Sequence, residues 1–297
     1  MPKPSMQSLD KEAERWIGRL QPPDAELQLD LKKAKEDPVF FAEEFLSFRP
    51  YGYQTAILTD KSKRITVRMS RQAGKTTTIA VRAIWYAATH PRTLSLIVAP
   101  SLRQSMIMMD RIQAFLYSMT PDQRKALIAK IQRTVIWFRN GSQMVALPCS
   151  PNLLRGYTAH QVLIDEAAFF RDDEIIFYNV LYPMMATTNG TLIASSTPWG
   201  SDSVFYKINM NPEISQGWSK HYVPWQACVK PNGPIDPAFI EEVRKVTPIE
   251  RFRREYDAEF VEDEDSYYPQ DLITKCIDPD LALILESDIL ATPFRWS

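Results

Sequence analysis

Apolar and polar positions change period along the chain in a repeating order. Continuous apolar runs of strand length, RITVRM, LSLIVA, QVLIDE and TLIASS, are separated by longer segments whose apolar residues recur at helical spacing. KTTTIAVRAIWYAATH, SLRQSMIMMDRIQAFLYSM and DDEIIFYNVLYPMMA supply those helices. Strands apolar on both sides, alternating with helices, predict an α/β fold with a mostly parallel central sheet flanked by helices. TVIWFRNGSQMVALP departs from that rule. Two alternating runs flank Asn140-Gly141, a pair that tolerates positive φ at both centre positions, and predict a β-hairpin inserted into the core.

Punctuation adds detail. Thr120-Pro121-Asp122-Gln123 and Thr247-Pro248-Ile249-Glu250 each predict a helix start, with a hydroxyl N-cap, proline at the first position and a reciprocal acceptor at the third. In DPVFFAEEFLSF, the rings of Phe40, Phe41, Phe45 and Phe48 recur at helical spacing and read as core aromatics. Residues 1–36, polar and broken by Pro22 and Pro23, predict a leader with helical pieces. The α/β core is expected over 37–200. After about residue 200 the alternation stops, which predicts a small lid or linker subdomain over 201–270 and a tail over 271–297.

Composition narrows the function classes. With 45% hydrophobic and 24% charged residues among 297, the chain is an ordinary globular one, and disorder and collagen are excluded. A formal net charge of -1 offers no global basic field, so any polyanion must be met by local patches such as Lys61, Lys63 and Arg64, or Arg251, Arg253 and Arg254. Cys149, Cys228 and Cys276 form neither a disulfide framework nor a C-x-x-C pair, and the scattered His90, His160 and His221 read as structural. There is no apolar signal core and no run long enough to span a bilayer, so no membrane partner is expected.

The chemistry concentrates in MSRQAGKTTT. Gly74-Lys75-Thr76 ends as a phosphate-binding loop ends, although Met69 stands where the usual pattern has its first glycine. RITVRM enters the loop as a strand and a helix leaves it, which is the arrangement phosphate binding needs. Residues Ser70, Arg71, Gln72, Ala73, Gly74, Lys75, Thr76 and Thr77 form the candidate ATP-binding segment. Gly74 lets the backbone approach the phosphates, Lys75 carries charge to the β and γ oxygens, and Thr76 offers a hydroxyl to Mg²⁺. Arg71 is a further cation, for either a surface salt bridge or the γ-phosphate. HQVLIDEAAFF then supplies acids at a strand's carboxyl end. Asp165 is the candidate metal-holding carboxylate and Glu166 the candidate base that polarises the attacking water. In TLIASSTPWG, the hydroxyls of Ser195, Ser196 and Thr197 end the next strand beside the loop, where they could sense the γ-phosphate.

In these motifs and their order, residues from about 37 to 270 resemble the ATPase half of a viral large terminase, the motor that packages double-stranded DNA into a procapsid. SRQAGKT, the YGYQ of residues 51–54, RNGSQMVALP, LLRGYTAHQVLIDEAAF, SSTPWG and FRREYDAEFVED each resemble a family segment. The resemblance implies a P-loop NTPase fold of the additional-strand, catalytic-glutamate type. It places Gln54 on the adenine side, Lys75 and Thr76 at phosphate and metal, Asp165 at Mg²⁺, Glu166 as base, and Ser196 and Thr197 in a coupling motif. Arg71 matches a loop arginine that contacts the γ-phosphate or acts as a finger in cis. Arg155 matches an arginine that some members insert into the neighbouring subunit's site. Implied partners are double-stranded DNA, the portal protein, the small terminase subunit and further copies in a ring, a pentamer by analogy. The implied place is the host cytoplasm, transiently at the portal vertex. Family members continue into a nuclease domain, for which the tail here is too short, so no nuclease is expected in this chain.

Two other functions fit the same motifs. A helicase or remodelling ATPase of related design generally uses two such α/β domains in one chain. A nucleotide-regulated assembly scaffold would have no need of a base at Glu166.

Overall fold

The computed structural model describes residues 25–261 and Cys276. The leader expected over 1–36 lies outside them as far as residue 24, and the tail expected over 271–297 lies outside them apart from Cys276.

An eight-stranded sheet runs through the core in the order β3-β4-β5-β2-β6-β7-β1-β8. In chain order the strands are β1 (Arg64–Met69), β2 (Leu94–Ala99), β3 (Ile128–Ile131), β4 (Val135–Phe138), β5 (Gln143–Pro148), β6 (Gln161–Asp165), β7 (Thr191–Ser196) and β8 (Ser219–Val223). The pairs β5/β2, β2/β6, β6/β7, β7/β1 and β1/β8 are parallel, while β3/β4 and β4/β5 are antiparallel. The hairpin around Asn140-Gly141 therefore continues the sheet at one edge, because its second strand, β5, pairs with β2. Only Gly141 of the turn pair takes positive φ, at 86°.

The helices used below are α1 (Ala25–Glu36), α2 (Pro38–Leu46), α3 (Gly52–Thr59), α4 (Lys75–Thr89), α5 (Leu102–Ser118), α6 (Pro121–Leu127), α7 (Val204–Met210), α8 (Pro237–Val246) and α9 (Ile249–Glu255). Strand periodicity divides the core between the two faces of the sheet. On β7, Ile193 joins the cluster containing Phe41, Ile79 and Ile112, whereas Leu192 and Ala194 join the one containing Phe177, Leu181 and Phe205. Phe41 and Phe45 are fully buried on α2; Phe40 and Phe48 are partly buried. Among the described residues no helix is long and apolar enough to cross a membrane.

The two punctuated helix starts behave differently. Thr120 and Gln123 form the reciprocal cap of α6, at 3.2 and 3.1 Å. Thr247 does not cap α9. Its backbone N–H closes α8 on Val243 O at 3.0 Å, so the residue belongs to the preceding helix end and α9 starts after Pro248. Likewise, β8 lies within the segment expected to leave the core at about residue 200. Its apolar Val223 and its register with β1 carry it into the sheet.

The end of α3 is held by charge. The guanidinium of the buried Arg82, on α4, donates to the carbonyls of Ile57, Leu58 and Asp60, groups that a helix C-terminus leaves unpaired. The Asp60 carboxylate meets His221 Nε2 of β8 at 2.8 Å and the Ser62 N–H at 2.8 Å. Burial would raise its pKa, but hydrogen bonds from Ser219, Ser62 and His221 outweigh it and bring the pKa from 3.8 to about 2. A depressed carboxylate pKa contributes stability that is present above the unfolded value and lost as pH falls through the folded one. Asp60→Asn is therefore expected to lose about 1–2 kcal/mol at neutral pH, allowing for solvent screening, and to flatten the decline in stability between pH 4 and 2, measured by urea unfolding across that range.

Candidate functional site

Parallel registers set Arg68 beside Ser196 and Asp165 beside Ser195, so β1, β7 and β6 finish on a common line. The carboxyl ends of parallel strands are where open α/β sheets place ligands. Met69 explains the absent first glycine. Its side chain is fully buried in the core as the last residue of β1, and the tight turn comes after it. Gln72 and Gly74 take positive φ, at 64° and 83°. The loop is anchored from outside by Ser70 N–H to Val223 O at 2.9 Å and Arg71 N–H to Glu255 O at 2.8 Å. Tyr53 of α3 donates its hydroxyl to Ala73 O at 2.8 Å.

Gln54, almost fully buried, accepts the Tyr51 N–H on Oε1 at 3.0 Å, and its Nε2 lies against Gly74. A Cβ on Gly74 would come within 2.8 Å of that nitrogen and push the Gln54 amide aside, and the positive φ itself disfavours any residue with a Cβ. Beyond Gly74 the free N–H groups and the dipole of α4 face the loop.

The acids close the site from the other side. Thr76 Oγ1 donates to Asp165 Oδ2 at 3.0 Å, and Ser195 Oγ donates to Asp165 Oδ1 at 3.2 Å. Burial pushes the Asp165 pKa up, against the pull of Lys75 and of these two hydroxyls; Glu166 pushes it further up. Glu166 sits in the left-handed region at φ 57°, unusual for a residue with a side chain. Its carboxylate meets Lys75 Nζ at 2.9 Å on Oε1 and accepts from Ser196 Oγ at 3.2 Å on Oε2. The two adjacent acids thus address different partners, Asp165 the threonine hydroxyl and Glu166 the lysine.

Of these groups Lys75, Thr76 and Glu166 line a cavity of about 640 Å³, with Gln54, Ser70, Arg71, Gln72, Gly74, Thr77 and Thr197 also on its walls, whereas Asp165, Ser195 and Ser196 are not. Arg71 reaches Glu255 Oε2 of α9 at 3.2 Å, so the salt bridge is the contact it makes while it lines the cavity. Ala73 is fully buried behind the loop. Arg155 is not on the wall; it is exposed just after the helical turn Pro151–Leu154, with no side-chain hydrogen bond or ion pair among the described residues. Sequence reasoning missed Phe48, Tyr51 as a wall residue, Gln104, Arg111, Phe169, Pro234 and Glu255, all of which line the cavity. Gln104 and Arg111 are seven apart on α5 and so share a face, a signal the sequence does carry, without saying where that face points.

The arrangement can hold a chain of phosphates along the start of α4, with Lys75 as the central cation. The adjacent Thr76 hydroxyl and Asp165 carboxylate are hard oxygen donors of the kind Mg²⁺ takes. Among the described residues no group of three or more His, Cys, Asp or Glu could hold a metal alone. A cation here would thus take its remaining ligands from phosphate and water, as Mg²⁺ at phosphate sites does.

A family model described as terminase large subunit, T4likevirus-type, N-terminal, matches residues 67–275. Terminase large subunits of Thermus phage G20c and Thermus virus P23-45 are each 25% identical to this chain, over 270 and 271 residues, covering 80% of it and 54% of the relative. The chain spans about half the length of these relatives. Among solved structures, the large terminase ATPase domain of Thermus phage P74-26 is similar at a TM-score of 0.62 and 23% identity, covering 75% of this chain and 97% of that one. The HK97 bacteriophage large terminase reaches 0.62 at 16% identity, covering 76% and 55%. The large terminase of a thermophilic bacteriophage, in complex with ADP, reaches 0.56 at 15% identity, covering 72% and 54%. The structural likeness establishes the α/β fold of these ATPase domains.

Gly74→Ala tests the local geometry. It is expected to cost about 1–2 kcal/mol in urea unfolding, from positive φ and the displaced Gln54 amide, and to abolish phosphate binding measured by calorimetry.

Proposed function

Because the chain belongs to the terminase large-subunit family, in its T4likevirus-type N-terminal part, we propose that it is the ATP-hydrolysing motor portion of a viral genome-packaging machine, moving double-stranded DNA into a procapsid. The observation that carries this reading is the meeting of Lys75, Thr76, Asp165 and Glu166 at one end of the sheet. Ser70 to Thr77 wrap the phosphates of ATP, with Gln54 bracing the loop toward the base side. Thr76 and Asp165 hold Mg²⁺, which supplies charge neutralisation of the phosphate oxygens when bound.

The Lys75–Glu166 pair belongs to a resting arrangement. ATP draws the Lys75 ammonium to its β and γ oxygens and frees Oε1 of Glu166 to accept a proton from water. That water attacks the γ-phosphorus as the bond to the ADP oxygen breaks. Ser196, bonded to Oε2, keeps the carboxylate oriented and joins Thr197 in passing loss of the γ-phosphate to β7. Arg71 exchanges Glu255 for the γ-phosphate. Arg155, exposed and without a side-chain partner among the described residues, suits insertion into a neighbouring copy's site in a ring, a pentamer as in the family reading. The portal protein and the small terminase subunit complete the proposed complex in the host cytoplasm.

Hydrolysis by the wild type is expected to rise with protein concentration and with linear duplex DNA, and Glu166→Gln to fall by about 10²–10⁴ while still binding ATP. No hydrolysis at any concentration would remove the motor reading in favour of a scaffold, and separation of a short duplex would favour a helicase. Arg155→Ala is expected to lose turnover and to regain it on mixing with Glu166→Gln subunits, since one partner then supplies the arginine and the other the base; mixtures as inactive as their components would refute a finger in trans.

A further inference from the structure

Arg111 is a cation at the nucleotide cavity that none of the motifs includes. It lies on the third turn of α5, is exposed, and has no carboxylate partner among the described residues. Its guanidinium NH1 donates to Thr77 Oγ1 at 2.7 Å, the hydroxyl of the third residue of α4. Thr77 thereby accepts one bond and keeps its own proton for an acceptor in the cavity.

The position along the cavity follows from neighbours. One turn beyond Arg111, Phe115 packs edge-on against Phe48 at 5.7 Å between centroids, and Phe48 and Tyr51 both line the cavity. Asp165 and Glu166 are addressed instead by Thr76 and Lys75, the first two residues of α4. Arg111 therefore stands between the start of α4 and the aromatic wall, and Gln104 lines the cavity from the same face of α5.

Resting on the nucleotide-site reading above, we propose that Arg111 binds the α-phosphate and ribose end of the nucleotide, with Thr77 as its relay and Gln104 beside it. It is a contact common to ATP and ADP, in contrast to Arg71 at the γ end. A guanidinium already oriented by a hydroxyl loses little freedom when it takes a phosphate oxygen.

Calorimetric binding of ADP and ATPγS, with KM and kcat for ATP, tests this in the wild type, Arg111→Ala, Arg111→Lys and Lys75→Ala. Arg111→Ala is expected to weaken ADP and ATPγS by the same factor, about tenfold, with the kinetic change falling on KM more than on kcat. The loss should shrink with added salt and be partly recovered in Arg111→Lys, at an unchanged thermal midpoint. Wild-type ADP affinity in Arg111→Ala, or a loss confined to ATPγS, would overturn the inference. If Lys75→Ala weakens both nucleotides while Arg111→Ala weakens neither, only this inference falls; if the wild type binds neither nucleotide, the nucleotide-site reading falls with it.

Discussion

Asp165 is buried to 7% exposure at the carboxyl end of β6, where the charged form of a carboxylate is disfavoured unless neighbours compensate. The compensation comes from separate pieces of chain: the Thr76 hydroxyl at the start of α4, the Ser195 hydroxyl on β7, and the charge of Lys75. None of these can shift by an ångström without leaving a buried charge underpaired. The placement of β7 between β1 and β6 is what makes all of them reachable at once, and the packing on both faces of the sheet serves to hold that order.

The same logic extends to α9. Glu255 holds Arg71 twice, through its backbone carbonyl at 2.8 Å and its carboxylate at 3.2 Å. One residue earlier, the Arg254 guanidinium lies 4.8 Å from the Trp199 ring, and Trp199 packs 5.1 Å from Phe169 on the cavity wall. The phosphate loop, the exit of β7 and the segment after Glu166 are thus in contact with one helix or with each other. A ligand that takes Arg71 from Glu255 must weaken one tie between the loop and α9. That is a physical route by which occupancy of the cavity is felt outside it.

Parts of this were legible because their chemistry is local. The run of a phosphate loop, an apolar strand ending in Asp165-Glu166 and a strand ending in hydroxyls are each contained within a few residues, and periodicity places each on its element. The Thr120 cap was legible for the same reason. Thr247 carried an equal local signal and lost to the end of α8, since its backbone N–H, committed to Val243, is not free for the Glu250 carboxylate that the reciprocal cap requires.

By itself the sequence determined the alternation of β1, β2, β6 and β7 with helices, the hairpin strands β4 and β5, and the residues of the loop and of the Asp165-Glu166 pair. Only the tertiary structure decided that β8 joins the sheet, that Arg71 rests on Glu255, and that Arg111 and Phe48 face the same cavity as Lys75. The reason is reach. Periodicity says which residues share a face of a helix, but the neighbour that face meets depends on strand order and helix rotation, and these are set by packing between segments distant in the chain.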